Sequence, residues 1–204
     1  MSLYLKNIPF FIKWIYPEAK WCVKTNEKVL YLTFDDGPVE GVTNWVLKTL
    51  EEYNAKATFF CVGQNVNINP NLFRELTESG HSIGNHSYHH LKGLNTGNKL
   101  YLQDVGKADN IIKSRLFRPP YGLMGYRQYI ELKHKFDIVM WDVLSGDFDT
   151  GIDGEKCYQN VVKNAKQGSI VVFHDSKKAF PRLKIALPKI LKYYSELGYR
   201  FERI

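Results

Sequence analysis

Two rhythms of apolar and polar residues alternate along this chain. Short apolar runs, each ended by glycine, proline or charge, predict strands over residues 29–34, 57–62, 81–84, 116–117, 136–143, 169–173 and 199–203. Between them the apolar positions recur every three or four residues. Val42, Trp45, Val46, Thr49, Leu50 and Tyr53, for example, share one face of a helix over 42–53. The same spacing predicts helices over 69–80, 98–113, 126–133 and 155–166, and a last one from Pro188 to Gly198. Asn69-Pro70 reads as a cap followed by proline at the first helical position, and Gly80 as the stop. Alternating strands and helices with short links call for a parallel sheet covered by helices. Seven strands in 204 residues fall a little short of a regular eightfold barrel. The expected fold is therefore α/β, a distorted or incomplete (β/α) barrel of about seven parallel strands, in preference to a flavodoxin-like open sheet.

The residues that are unusual for their surroundings fall where an expected strand ends. Asp35-Asp36, His86 to His90, Arg118 to Tyr121, Asp147 and His174-Asp175 each follow the C-terminal end of a strand. Barrels and open α/β sheets build their sites at that end. The first stretch organises the others. The run from Val29 to Phe34 stops at two adjacent carboxylates, and Gly37-Pro38 turns the chain away. Neighbouring strand side chains point to opposite faces, so Asp35 and Asp36 can converge only where the backbone bends. Two carboxylates held close repel unless a cation sits between them or one is protonated. Further on, His86 and His90 stand four apart, a spacing that one helical turn brings to the same side. Six histidines in 204 residues produce such pairs by chance, and Asp36 as a third ligand is what gives this pair weight. Two imidazoles and a carboxylate with open positions are what a hydrolytic metal site needs.

Composition narrows the remaining readings. The chain is 44% hydrophobic and 24% charged, ordinary for one globular domain, with no repeat and no low-complexity tract. The net charge of +7 comes from scattered lysines. No basic stripe with interleaved aromatics exists, so a nucleic-acid partner is not expected. Cys22, Cys61 and Cys157 stand far apart and form no Cys-x-x-Cys pair, which argues against a disulfide framework. The stretch from Ile8 to Tyr16 is apolar but interrupted by Pro9 and Lys13, too short and broken for a membrane span. It also lacks the pattern of a secretory signal. The chain is thus expected to have no transmembrane segment and to reside in the cytoplasm or at a membrane surface. Action at the cell envelope is expected only if a leader has been removed.

These features together resemble the NodB-homology polysaccharide deacetylases, carbohydrate esterase family 4, from about Lys28 to the C-terminus. Thr33-Phe34-Asp35-Asp36-Gly37-Pro38 is similar to the family's first motif without a substitution, and His86-Ser87-Tyr88-His89-His90 to its second. Arg118-Pro119-Pro120-Tyr121 resembles the third. The fourth departs: Leu144-Ser145-Gly146-Asp147-Phe148 has leucine and phenylalanine where the family often has aspartate and tryptophan. Val171-Val172-Phe173-His174 is a mild variant of the fifth.

The resemblance implies roles residue by residue. Asp36, His86 and His90 would hold one divalent metal, zinc above all, with cobalt or nickel as alternatives. Asp35 would be the general base, held by Arg118, and His174 the general acid, oriented by Asp147. Tyr121, carried by Pro120, would offer a backbone N–H to the oxyanion, and Phe148 would supply an apolar wall for an acetyl methyl. His89 would be a bystander. The implied activity is metal-dependent removal of N-acetyl groups from an acetylated glycan or oligosaccharide of the peptidoglycan or chitin type. Two other readings are an O-acetyl esterase acting on a glycan and a glycan-binding relative without catalysis. Residues 1–27 are expected to form a lead-in packed on the domain, and 28–204 the catalytic domain.

Overall fold

The computed structural model describes residues 13–204, so the lead-in up to residue 12 lies outside the described residues. In chain order the elements are β1 (Val29–Asp35), α1 (Val42–Glu51), β2 (Ala57–Cys61), α2 (Gly63–Ile68), α3 (Pro70–Glu78), β3 (Ser82–Asn85), α4 (Asn98–Ile112), β4 (Leu116–Phe117), α5 (Tyr126–Lys133), β5 (Asp137–Ile138), β6 (Val143–Leu144), α6 (Gly154–Val162), β7 (Ile170–His174), α7 (Phe180–Glu196) and β8 (Arg200–Phe201). The strands pair in parallel in the order β5-β4-β3-β2-β1-β7-β6, with β8 beside the start of β1. Seven strands thus make one ladder, left open between β5 and β6. This is the incomplete barrel expected from the sequence.

Strand alternation decides what each side chain faces. Leu30, Leu32 and Phe34 of β1, Phe59 and Cys61 of β2, and Val171 and Phe173 of β7 pack with Leu47, Leu50, Leu187 and Ile190 of the helices. The alternate set, Thr33, Asp35, Phe60, Val172 and His174, therefore points to the inner face of the sheet. Asp35 and His174 are also register partners on adjacent strands. Two chemically active side chains so arrive at the same rim from the pleat alone.

Three elements differ from the sequence expectation. The single strand expected over 136–143 is two, because the backbone between β5 and β6 serves other partners. The Met140 N–H donates to the Lys20 carbonyl, while the Val139 and Met140 carbonyls accept from Arg118. The Asp142 N–H then rejoins the sheet at the Ile170 carbonyl. The last helix begins at Phe180 and runs through Pro188. Leu183, Ala186, Leu187, Ile190 and Leu191 form one continuous buried face across it, and that burial outweighs the lost hydrogen bond. The short α2, whose six residues bury only Gly63 and Val66, has too little apolar periodicity to be read from sequence.

The described part of the lead-in crosses the open seam. Lys20 pairs with Val139 and Cys22 with Ser169, one on each side of the gap. Tyr16, Ala19 and Trp21 are buried in a second core with Tyr101, Phe117, Tyr129 and Phe136. No described helix is long and apolar enough to cross a membrane.

Candidate active site

Arg118 leaves β4 pointing inward and is fully buried, with 0% exposure. Every guanidinium nitrogen has a partner. One terminal nitrogen donates to Asp35 Oδ1 and Thr33 Oγ1 at 2.7 Å each, the other to the Met140 carbonyl at 2.9 Å, and Nε to the Val139 carbonyl at 3.1 Å. The guanidinium carbon lies 4.1 Å from the centre of the Phe60 ring. Gly84 leaves space for that ring, since a Cβ there would come within 2.3 Å of it. Burial pushes the Arg118 pKa down against the pull of Asp35, yet guanidinium starts so high that the charge persists. Asp35 is thereby held by a fixed cation in the sheet interior.

Asp36 escapes the strand alternation through its backbone, with φ of 86°. Ser87, His90 and Tyr121 are also in the left-handed region, at φ of 62°, 57° and 60°. Such conformations cost on the order of 1–3 kcal/mol each and persist where surrounding contacts over-determine them. Here they bring three chain segments together. Asp36 Oδ1 lies 3.2 Å from His90 Nε2 and 4.0 Å from His86 Nε2. His86 Nδ1 stands 2.7 Å from the Arg118 carbonyl. A carbonyl only accepts, so the proton sits on Nδ1 and the Nε2 lone pair faces the carboxylates. Burial depresses His86 to about 4, against the pull of Asp35 and Asp36, which keeps it neutral. Burial would raise Asp36, but the His90 hydrogen bond and the charge of His174 hold it well below the usual carboxylate range. One carboxylate oxygen and two imidazole nitrogens lie within 4.8 Å of one another, a donor set that fits a divalent transition metal.

His174 ends β7 with Asp147 behind it. The Asp147 carboxylate accepts the His174 backbone N–H at 2.7 Å and meets Nδ1 at 2.8 Å. Asp147 is fully buried, and its carbonyl accepts from Arg182 Nε at 2.6 Å. Burial would lower the His174 pKa, but Asp147 outweighs it by charge and hydrogen bond and pushes it up to about 9. At neutral pH the ring therefore carries the proton an acid must donate.

The expected substrate-side residues line the same rim. The Tyr121 ring is 4.8 Å from His90 and exposed, on a turn whose Pro120 is buried. The Phe148 ring meets His174 edge-on at 5.1 Å. Leu144 is a buried β6 residue opposite Val172. His81 stays outside the site, buried just before β3 with Nδ1 accepting the Ala57 N–H.

Two carboxylates have a place here that the sequence did not assign: Asp175, singled out only as a strand-end residue, and Asp104, not singled out at all. Asp175 is fully buried, accepting from the Gly37 N–H at 2.9 Å and the Thr43 hydroxyl at 2.6 Å. Burial, aided by the charge of Asp36, raises it to about 8. A Cβ on Gly37 would fall 1.9 Å from this carboxyl, which is why glycine stands there. Asp104 grips the histidine loop from α4 through the backbone N–H groups of Tyr88 and His89, and the His89 ring, outside the Asp36–His86–His90 group, pairs with its other oxygen. The legible signal was Asp104 itself, an acid on the helical face of Tyr101, Val105, Ala108 and Ile112.

Residues 23–139 match the family model described as polysaccharide deacetylase. A peptidoglycan-N-acetylglucosamine deacetylase of Bacillus cereus is 38% identical over 188 residues, covering 89% of this chain and 88% of the relative. A longer protein, the peptidoglycan-N-acetylmuramic acid deacetylase PdaC of Bacillus subtilis, is 30% identical, over 87% of this chain and 38% of its own length. A crystal structure of a peptidoglycan N-acetylglucosamine deacetylase superposes with a TM-score of 0.88 at 29% identity, covering 97% of this chain and 95% of that one. A CE4-family pseudoenzyme from Bacillus anthracis shares the fold at a TM-score of 0.79 and 22% identity, over 90% of this chain and 66% of its own. The chain belongs to the polysaccharide deacetylase family, the NodB-homology group of carbohydrate esterase family 4, and is an enzyme of that family.

Proposed function

We propose that this chain hydrolyses N-acetyl groups on an N-acetylhexosamine-containing glycan of the peptidoglycan or chitin type, releasing acetate and leaving a free amine. The observation that carries this reading is the convergence of two buried pairs, Asp35 with Arg118 and Asp147 with His174, on the Asp36–His86–His90 donor set. The names of the B. cereus and B. subtilis relatives support the glycan class.

A divalent cation, zinc in the first instance, would be held by Asp36, His86 and His90 and would supply Lewis acidity to water and to the acetamide carbonyl. Asp35 takes the proton of the attacking water. Arg118 aims the carboxylate, because its terminal nitrogen donates to Oδ1 and fixes which oxygen is left facing the site. The backbone N–H of Tyr121 stabilises the oxyanion of the tetrahedral intermediate, where a preorganised donor contributes most. His174 then gives its proton to the departing amine, with Asp147 fixing the tautomer and the ring. Phe148, edge-on to His174, forms an apolar wall for the acetyl methyl.

The test is acetate release from N-acetylglucosamine oligomers and peptidoglycan fragments by protein stripped of metal and re-supplied with zinc or cobalt. Release that needs the metal and is lost in Asp35→Asn and His174→Ala is the expected result. Cleavage of O-acetyl xylan alone would turn the reading to an esterase, and no cleavage with metal bound would leave glycan binding without catalysis.

A further inference from the structure

The two histidines of the donor set sit at the ends of a loop that cannot hold itself. Ser87 and His90 are both left-handed, and the residues between them form no regular element. The loop is held from outside. Its carbonyls face α2, where those of Ser87 and Tyr88 accept from the backbone N–H groups of Gly63 and Gln64. Its N–H groups face α4. There one oxygen of Asp104, Oδ2, accepts from the N–H groups of both Tyr88 and His89 at 3.0 Å. The other, Oδ1, lies 2.5 Å from His89 Nδ1. Next to it the Asn85 amide donates to the Val105 carbonyl at 3.1 Å, while its oxygen accepts from the Ser87 N–H at 2.8 Å.

Asp104 is 5% exposed and lies on the buried face of α4 with Tyr101, Val105 and Ala108. A carboxylate in that position is costly unless its oxygens are bonded. Its bonds run to Tyr88 and His89, two of the three residues between the metal-binding candidates, so what it fixes is the path from Ser87 to His90.

We propose that Asp104 is the positioning residue of this site, holding the loop so that His86 and His90 face Asp36 before any cation arrives. This rests on reading Asp36, His86 and His90 as metal ligands. Because both backbone N–H groups meet the same oxygen, a single carbonyl suffices: the Asp104→Asn side chain keeps both bonds and turns its NH2 to His89, whose ring can accept in the other tautomer. Asp104→Leu keeps the volume and loses every acceptor.

The experiment has two readouts, neither of them activity. Metal-free protein is titrated with zinc or cobalt against a chromogenic chelator, and amide hydrogen exchange is followed at Tyr88 and His89 in the metal-free parent. Asp104→Leu is expected to weaken the cation about 10–100-fold, as loss of an outer partner of a metal ligand commonly does. Asp104→Asn and His89→Ala are expected to stay within about threefold of the parent. In the parent both amides are expected to be protected before metal is added. The proposal is overturned if Asp104→Leu binds as the parent does, or if Asp104→Asn weakens binding as much as Asp104→Leu. It is overturned equally if the two amides exchange at open-loop rates until the cation is present, a result that does not depend on any variant folding. A parent that takes up no cation at all overturns the metal reading and the proposal with it. A parent that binds the cation on an unprotected loop overturns the proposal alone.

Discussion

Arg118 carries a full charge where no solvent reaches, and its neighbours explain how. Its three nitrogens serve Asp35, Thr33 and two carbonyls of the chain between β5 and β6, so one side chain ties the general-base candidate to the far edge of the sheet. Arg118→Met would strand Asp35 without its partner, and unfolding in urea should show a loss of about 3–5 kcal/mol, the range for breaking a buried ion pair on one side. Arg118→Lys keeps the charge but not the planar fork and should recover only part of that. A methionine variant as stable as the parent would refute this account of Asp35.

At the opposite pair the pH is the probe. The folded pKa of His174, pushed up to about 9, lies above its ordinary value of 6.5. The stability this contributes is therefore complete below pH 6.5 and is lost as pH rises through 9, with a ceiling on the order of 3 kcal/mol. In metal-free protein the stability gap between the parent and Asp147→Asn should narrow across that window. A gap that stays constant from pH 6 to 10 would show that Asp147 does not set the charge of His174.

At the scale of elements, the legible parts are those whose own residues determine them. Leu30, Leu32 and Phe34 alternate with Thr33 and Asp35 because one face of β1 meets helices and the other meets Arg118. The alternation is local, so the sequence displays it. The division between β5 and β6 is not local: Lys20 and Arg118, distant in sequence, draw the backbone bonds away. The motif residues were legible as types at strand ends, and Asp104 and Asp175 as acids in unusual places, but the backbone N–H groups they bind lie on other segments and no local pattern reveals them.

The early part of α7 was hidden by Pro188, which reads as a start and sits in the interior. Proline there forfeits a helix bond, a cost of about 3 kcal/mol in a free helix, offset by about 0.4–1 kcal/mol of unfolded-chain stiffness. Pro188→Ala should therefore stabilise the protein by up to about 2 kcal/mol, visible as a higher midpoint in thermal unfolding. An unchanged or lower midpoint would mean that the helix has already adapted fully around the ring.

The whole molecule is an open ladder whose edges, β5 and β6, need something between them, and residues 16–23 fill that place. The Lys20 N–H donates to the Ile138 carbonyl and its carbonyl accepts the Met140 N–H, both at 2.8 Å. On the other side the Val23 N–H donates to the Gly168 carbonyl at 2.8 Å, where a Cβ on Gly168 would fall 1.9 Å from the Val23 oxygen. The strap thus bonds the same short segment whose carbonyls receive Arg118, and the path from Lys20 through Met140 to Arg118 and Asp35 is continuous. Lys20 is exposed, so only its backbone takes part. Lys20→Ala should change stability by no more than about 0.5 kcal/mol, the usual range for a surface substitution. Lys20→Pro removes the donor to Ile138 and should cost about 1–3 kcal/mol, the penalty for a buried acceptor left without its partner. Faster amide exchange at Met140 and a fall in kcat larger than the change in KM should follow, because the general-base candidate is held through this segment. If the alanine and proline variants behave alike, the strap only covers the seam, and Arg118 is held by the ladder without its help.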